Sequence, residues 1–278
     1  MQSTTFGVIV STRGFFPASL AEQGRTQLLA KLEKEGYNAV VLPEDATPYG
    51  AVETLEDAQK YARLFRERAD DIDGIIVALP NFGDELGVTE TLARADLKVP
   101  VLVQASDDVM ARMDMAHRRD AFCGKLSVCC NLKQRGIPFT NTTLHTCAVD
   151  SDELSTDLAR FAAVCRTVRG LRGARVGMIG QRPDPFNTVR FSEKLLERSG
   201  IHVSVVDMSE IIFAARAMED TTEVAAKVKE IRAYGPVAKG IAEDTLKTQA
   251  KLILTIERWV EENRCDASAV QCWDSIQK

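Results

Sequence analysis

Short apolar runs alternate with longer amphipathic stretches along the first part of the chain. Four of these runs are rich in β-branched residues, which is typical of buried parallel strands; they occupy residues 6–11, 39–42, 74–79 and 99–103. The stretches between them have helical spacing, and two carry a capping-box pattern that marks a helix start, Ser19 with Glu22 and Thr54 with Asp57. Strands that alternate with helices predict an α/β fold with a parallel sheet and right-handed crossovers.

The same alternation returns in the second half of the chain. We predict helices over residues 109–117, 121–134, 151–168 and 238–262, and strands at 137–139, 175–179 and 201–207. The polar segment at 140–147 is expected to cross between domains. The sequence thus predicts two consecutive Rossmann-like or flavodoxin-like parallel-sheet domains, residues 1–147 and 148–265. A new apolar segment at residues 266–278 indicates the start of a third, truncated domain.

Composition and charge narrow the possible functions. The 278 residues are 45% hydrophobic, which suffices for two cores, and the net charge of −5 gives no electrostatic case for binding nucleic acid or an anionic membrane. No apolar stretch approaches the roughly 20 residues of a membrane span. The N-terminus has no basic region and is expected to be a strand, not a signal peptide. Seven scattered cysteines without a C-x-x-C pattern predict reduced thiols. We expect a soluble cytoplasmic protein.

Ligands of open parallel sheets bind beyond the carboxyl ends of the strands. This rule selects the polar loops at residues 11–14, 80–85, 104–108 and 180–187, whose amides, hydroxyls, carboxylates and isolated arginines suit a polyhydroxylated ligand. Because two of these loops follow parallel strands, we expect Arg13 and Phe82 to lie at the same sheet edge. Arg13 either contacts a ligand or pairs with a surface carboxylate. Phe82 either forms a stacking platform or packs as a plug. Asp107 and Asp108 resemble a helix start.

Established catalytic motifs are absent or incomplete. The glycines at 177 and 180 fall short of a dinucleotide fingerprint, which argues against an NAD-linked oxidoreductase. The three histidines are far apart, and His145 with Cys147 lacks the partners of a zinc site. There is no nucleophile elbow, P-loop or H-E-x-x-H motif. The residues themselves therefore indicate a two-domain α/β protein with polar ligand loops.

Four segments, taken in order, resemble the L-fucose isomerase and L-arabinose isomerase superfamily, and the nearest match is the shorter fucose isomerase-like proteins. They are VIVSTRGFF (8–16), IIVALPNFGDE (75–85), VRGLRGARVGMIGQRPDPFNTVRFSE (168–193) and AVQCW (269–273). The resemblance implies three-domain subunits in a hexamer or related homo-oligomer. It also implies that Arg13 and Phe82 reach into the sugar site of an adjacent subunit. Gln271 would contact the sugar within its own subunit, beside Trp273.

The chemistry implied by this resemblance is aldose–ketose isomerisation of a small-molecule sugar through an enediol. In the family a divalent metal, usually Mn²⁺, stabilises the enediol, and carboxylates move the proton. The family's glutamate, aspartate and histidine ligands follow the segment of Gln271, beyond this chain. We therefore expect the chain alone neither to bind Mn²⁺ tightly nor to isomerise sugars. The alternative is a non-catalytic sugar-binding or regulatory module, since paired α/β domains also form hinged sugar-binding proteins.

Overall fold

A computed structural model describes residues 3–273 and 275–276. The chain divides into two compact units, one ending at Arg169 and the other beginning at Gly170. Both units contain parallel sheets, which confirms the predicted α/β class. Among the described residues, no helix is long and apolar enough to cross a membrane.

The first unit is built on a five-stranded parallel sheet of order β2-β1-β3-β4-β5. Its strands are β1 (Thr5–Val10), β2 (Asn38–Val41), β3 (Gly74–Leu79), β4 (Val101–Ala105) and β5 (Thr140–Asn141). This is the flavodoxin-like strand order, in which the chain direction across the sheet switches between the first and third strands. Every residue of β3 is buried, as its uninterrupted apolar sequence predicts for a central strand.

Helices cover both faces of this sheet. They are α1 (Ala18–Lys34), α2 (Leu55–Glu67), α3 (Glu85–Ala95), α4 (Ala121–Gln134) and α5 (Asp152–Leu171). One core lies between the sheet and α2, α3 and α4, around Tyr61, Phe65 and Val77. The other lies between the sheet and α1 and α5, around Phe6, Leu28 and Phe161. The unit is therefore a three-layer sandwich with one core on each side of the sheet.

Helix α5 belongs to the first unit, whereas the sequence prediction places its residues in the second domain after a boundary at 147/148. Its apolar stripe, including Leu154, Leu158 and Phe161, is buried against the first sheet. Gly74 in β3 allows this close approach, because a side chain there would overlap Cys165 of α5. Burial raises the pKa of the Cys165 thiol to about 12. The boundary after Arg169 corrects the predicted one, and residues 140–147 do not cross between units.

The second unit contains a smaller parallel sheet of order β7-β6-β8. Its strands are β6 (Arg175–Ile179), β7 (His202–Val206) and β8 (Ala267–Val270), and its helices are α6 (Glu193–Arg198), α7 (Met208–Ala217), α8 (Thr222–Tyr234) and α9 (Glu243–Glu262). Helix α9 packs on α7 and the sheet through Leu252, Ile256 and Trp259. It packs on α8 through Leu246, Ala250 and Leu254.

Strand β8 corrects the prediction that residues 266–278 begin a separate domain. It pairs in parallel with β6, with Val176 opposite Ala267 and Ile179 opposite Val270. The backbone of this segment is therefore paired within the second unit, and β8 is the third strand of a sheet that repeats the β2-β1-β3 order of the first. The part of the predicted third domain at residues 274, 277 and 278 lies outside the described residues.

Several local predictions differ from the structure. Residues 109–117 form turns, not a helix, and α3 is not among the predicted helices. The capping box of Thr54 and Asp57 is present, with both reciprocal hydrogen bonds. Ser19 does not cap α1, because that helix begins one residue earlier, directly after Pro17. Two similar sequence patterns thus have different outcomes, since Pro17 takes the position before α1 and makes no side-chain cap hydrogen bond.

We expect a fragment of residues 1–172 to fold cooperatively and a fragment of residues 1–147 not to do so. The shorter fragment lacks Leu154, Leu158 and Phe161, each of which contributes about 1.5–3 kcal/mol by burial. That sum is comparable with the whole stability of a small domain, about 5–15 kcal/mol. Thermal unfolding followed by circular dichroism tests this. Equally sharp transitions at the same temperature for both fragments would place α5 outside the folding unit.

Candidate functional site

The loops after β1 and β3 meet at the carboxyl edge of the first sheet. They are adjacent because β1 and β3 pair in parallel, with Val10 opposite Ala78. The Arg13 guanidinium lies over the Phe82 ring, 4.7 Å from its centroid. The prediction that these two side chains share one sheet edge is therefore confirmed.

Uncharged hydrogen bonds fix the two loops to each other. The fully buried Asn81 donates its Nδ2 to Thr12 Oγ1 at 2.9 Å and accepts from the Gly83 N–H at 3.1 Å. The Asp84 N–H donates to Ser11 Oγ at 2.8 Å. An unmade hydrogen bond at a buried amide costs about 1–3 kcal/mol, so this network defines the positions of both loops.

The backbone of Phe82 touches α4 directly. At Gly124 in α4, an added methyl group would overlap the Phe82 carbonyl oxygen and come within 2.8 Å of its Cα. Gly83 has a φ of +71°, and a side chain there would also meet Leu79 and Ser11. Two glycines therefore allow the packing that orients the Phe82 ring.

Two further side chains extend this contact into what we call the aromatic–arginine stack, made of Arg13, Phe82, Phe16 and Arg118. Phe16 stacks on Phe82 with ring centroids 5.6 Å apart and an interplanar angle of 18°. The Arg118 guanidinium lies 5.7 Å from the Phe16 centroid. Sequence reasoning misses Phe16 and Arg118 as site residues. Phe16 is close to Arg13 in the sequence, and this proximity could have indicated a shared site. Arg118 gives no such signal, because it follows a segment whose pattern predicts a helix.

Arg13 retains unused hydrogen-bonding capacity. Its Nη2 lies 3.6 Å from Asp84 Oδ2, a distance longer than a direct charge-assisted hydrogen bond. Its buried Nε has no hydrogen-bond partner among the residues that the structure describes. The sequence leaves two interpretations open for each residue, a ligand contact or an ion pair for Arg13 and a stacking platform or a packing plug for Phe82. The structure contains elements of both. Arg13 has a carboxylate neighbour and a free donor, and Phe82 is half-buried, with its ring in contact with both Phe16 and the Arg13 guanidinium. The stack can offer an apolar surface and a cationic donor together.

The third predicted ligand loop is largely structural. Gln104 is buried within β4 and donates from Nε2 to the Cys147 carbonyl at 3.0 Å. Asp108 does not start a helix over residues 109–117. Instead its carboxylate accepts the backbone N–H groups of Arg119 and Asp120, just before α4. Its negative charge therefore orders the segment that presents Arg118.

The second unit has a comparable meeting of loops at its own sheet edge. Gln271, directly after β8, accepts the Gln181 N–H at 2.9 Å through Oε1, and its Nε2 donates to the Trp273 carbonyl and Ser275 Oγ. Gly180 has a φ of +77°, and a side chain there would lie 2.5 Å from Gln271 Oε1. Gln271 therefore joins the loops after β6 and β8, as Asn81 joins those after β1 and β3.

Trp273 lies beside Phe186 in this second loop pair. Their ring centroids are 4.8 Å apart, and Trp273 is 51% exposed. The four predicted substrate-binding residues therefore fall into two pairs, Arg13 with Phe82 in the first unit and Gln271 with Trp273 in the second. Each pair occupies the position between the first and third strands of its own sheet, where ligands of such sheets bind.

No metal centre is formed by the described part of the chain: within residues 3–273 and 275–276, no three His, Cys, Asp or Glu side chains form a group that could hold an ion. His145 has a structural contact, with its Nε2 2.9 Å from the Phe122 carbonyl oxygen and its ring 4.2 Å from the Phe122 ring. The described residues therefore do not supply a ligand set for the divalent metal that the resemblance implies.

Comparison with known proteins identifies one family. The family model described as the N-terminal domain of fucose/sulfoquinovose isomerase matches residues 7–172. No curated protein matches the chain. The matched region contains the first sheet except for the first two residues of β1, together with the aromatic–arginine stack and α5 through Leu171. The family match thus ends where the first compact unit ends, within a few residues of Arg169.

We expect Gly124→Ala to destabilise the protein by about 1–3 kcal/mol, because the added methyl group overpacks α4 against the Phe82 backbone. It should also shift the NMR signals of Phe82 and Arg13. Gly170→Ala is the matched control, since Gly170 is also helical but no atom lies within 4 Å of its added methyl group. The control should raise stability by about 0.5–1 kcal/mol through helix propensity. Urea unfolding measures both, and equal effects would contradict the close contact at Gly124.

Proposed function

The chain belongs to the fucose/sulfoquinovose isomerase family through its N-terminal domain, and we propose that it functions as a subunit of a sugar isomerase that interconverts an aldose and a ketose. In this proposal the aromatic–arginine stack forms one wall of the sugar site. The partners are a small-molecule sugar and further copies of the chain.

The contact between Arg13 and Phe82 carries the proposal. A sugar presents apolar C–H faces and a rim of hydroxyl groups, so an aromatic ring beside a cationic donor suits both parts of its surface. Arg13 offers its unpartnered Nε and the remaining donors of its guanidinium to hydroxyl or carbonyl oxygens. Because Asn81, Thr12 and Gly124 fix the two loops, little ordering free energy is required when a sugar binds.

We assign Gln271 and Trp273 to the same function through the second unit. Trp273 would stack on the sugar from its exposed side, and Gln271 would position the loop that carries it. By the resemblance, Arg13 and Phe82 would reach into the site of an adjacent subunit. A complete site would then combine the first unit of one copy with the second unit of another.

The proposed reaction moves a proton between neighbouring carbons through an enediol. In the family a divalent metal, Mn²⁺ in most members by the resemblance, stabilises the developing negative charge when it is bound. The described residues do not fit such an ion, so no step of the reaction is derived through it. What these residues supply is sugar orientation, by apolar contact with the Phe82 ring and hydrogen bonding from Arg13.

We expect Arg13→Ala and Phe82→Ala each to weaken L-fucose binding by about tenfold or more, which corresponds to the loss of one charge-assisted hydrogen bond or one aromatic contact. Binding is measured by NMR on the protein in its native assembly. Arg68→Ala is the matched control, since Arg68 is an exposed arginine of the same unit whose partner is Asp71 at 2.6 Å. The control should keep full affinity, and Arg13→Ala and Arg68→Ala should have the same melting temperature.

Mixing two variants tests whether the site spans two copies. Arg13→Ala and Trp273→Ala chains, unfolded and refolded together, should regain a fraction of intact sites that neither variant has alone. Trp273→Ala is preferred to Gln271→Ala because Gln271 also holds its loop together. Recovery of binding in the mixture supports a shared site. No recovery would place both pairs in one chain's site, and unchanged binding in each single variant would contradict the proposal.

We expect the isolated chain to show no tight Mn²⁺ site in a calorimetric titration and no Mn²⁺-dependent ketose formation from L-fucose. The reason is that the described residues form no three-ligand group. L-Fucose binding at the aromatic–arginine stack should persist in the presence of EDTA. Metal-dependent turnover by the purified chain would contradict this expectation and would call for a ligand set that the described residues do not form.

A further inference from the structure

The first unit contains a polar cavity that the proposed sugar site does not use. It has a volume of about 550 Å³ and lies between the first turns of α1 and the segment at residues 109–119. Small-molecule sites typically have volumes of about 300–1,000 Å³. None of the residues that line it belongs to the aromatic–arginine stack.

One side of the cavity is cationic. Arg119 is partly buried there, and one of its guanidinium nitrogens, Nη1, donates to the Pro80 carbonyl at 2.7 Å. Burial lowers the pKa of Arg119, while Asp108 and Asp107 raise it. An anionic ligand would offset this desolvation. Arg112 also lines the cavity, and its guanidinium has no hydrogen-bond or ion-pair partner among the described residues. Two arginines with free donors therefore line the same cavity.

Two nearby carboxylates have hydrogen-bond partners other than these guanidinium groups. Asp108 accepts the backbone N–H groups of Arg119 and Asp120. Asp114 accepts from His117 Nδ1 at 2.8 Å, and this hydrogen bond lowers the pKa of Asp114. Neither Arg112 nor Arg119 forms an ion pair with these carboxylates among the described residues, so both guanidinium groups keep donors for a ligand, although the charges of Asp107 and Asp108 act on Arg119.

The α1 side of the cavity carries neutral and acidic hydrogen-bonding groups. Gln23 and Gln27 line it with their amides, and Glu22 lines it with a carboxylate. The side chains of these three residues have no hydrogen-bond or ion-pair partner in the described part of the chain. Amides both donate to and accept from hydroxyl groups, and a carboxylate accepts from them. This side therefore suits the hydroxyls of a polyol.

We propose that this cavity binds a monophosphorylated sugar. The phosphate would lie at Arg112 and Arg119, and the hydroxyls would lie at the α1 side, formed by Glu22, Gln23 and Gln27. Guanidinium groups bind phosphate oxygens in a planar, bidentate geometry, which makes arginine the suitable residue on the phosphate side. Arg119 also donates to the carbonyl of Pro80, in the loop that carries the Phe82 ring, so the occupied cavity would help to fix that loop.

The test is NMR titration of the full chain with glucose 6-phosphate, glucose and inorganic phosphate. Glucose 6-phosphate should shift the backbone signals of Gln23 and Ala116 at lower concentration than either of the other two. Arg112→Gln should weaken its binding by about tenfold or more, as expected for a lost charge-assisted hydrogen bond. Arg160→Gln, at an exposed arginine of α5, should not. Binding should also weaken with added salt.

Other results would overturn the inference. Equal affinity for inorganic phosphate and glucose 6-phosphate would show that the sugar hydroxyls do not contribute to binding. Equal losses of affinity in Arg112→Gln and Arg160→Gln would indicate nonspecific electrostatic attraction. Arg13→Ala separates this cavity from the proposed sugar site. Glucose 6-phosphate binding that is lost in Arg13→Ala and kept in Arg112→Gln would place the ligand at the aromatic–arginine stack instead. If L-fucose does not bind but glucose 6-phosphate does, the proposed sugar site is wrong and the inference about this cavity stands.

Discussion

The parallel pairing of the first strand with the third in each sheet is the constraint on which both candidate sites depend. In the first unit β1 lies beside β3, and in the second β6 lies beside β8. Parallel neighbours end at the same sheet edge, so loops separated by many residues in sequence come into contact there. Arg13 reaches Phe82 for this reason, and Gln271 reaches the loop after β6 for the same reason.

Neutral side-chain amides then hold these loops in place. Asn81 joins the first pair and Gln271 joins the second, each by hydrogen bonds to a neighbouring loop. Glycines allow the backbones to come close enough, Gly83 and Gly124 in one unit and Gly180 in the other. Because amides and backbone groups do this positioning, Arg13 keeps donors for a ligand, and its charge is only partly engaged by Asp84.

Helix α5 decides the domain organisation. Its apolar stripe closes the face of the first sheet that α1 covers only in part, and Lys31 of α1 donates to Ser155 of α5 at 2.6 Å. Without α5, the β1 and β3 side chains on this face would be exposed to water, and the free energy gained by burying them would be lost. The first unit is therefore complete only when the chain reaches the end of this helix, and the family match covers the same extent.

The sequence by itself determined the elements with the strongest patterns. The strands at residues 74–79 and 175–179 and the helix at 121–134 have the bounds that the sequence predicts, because short apolar runs and sustained helical periodicity are local signals. The rule that ligand loops follow parallel strands also placed Arg13 and Phe82 at one sheet edge.

The tertiary structure alone decided which sheet α5 covers and that β8 joins the second sheet, since an amphipathic stripe or a short apolar run does not specify the element that it packs against or pairs with. It also decided that Lys125 is fully buried, with its Nζ donating to Thr142 Oγ1 at 2.7 Å and its pKa lowered by burial. The aromatic–arginine stack joins segments from three loops, and only the folded sheet brings Phe16 and Arg118 to Phe82.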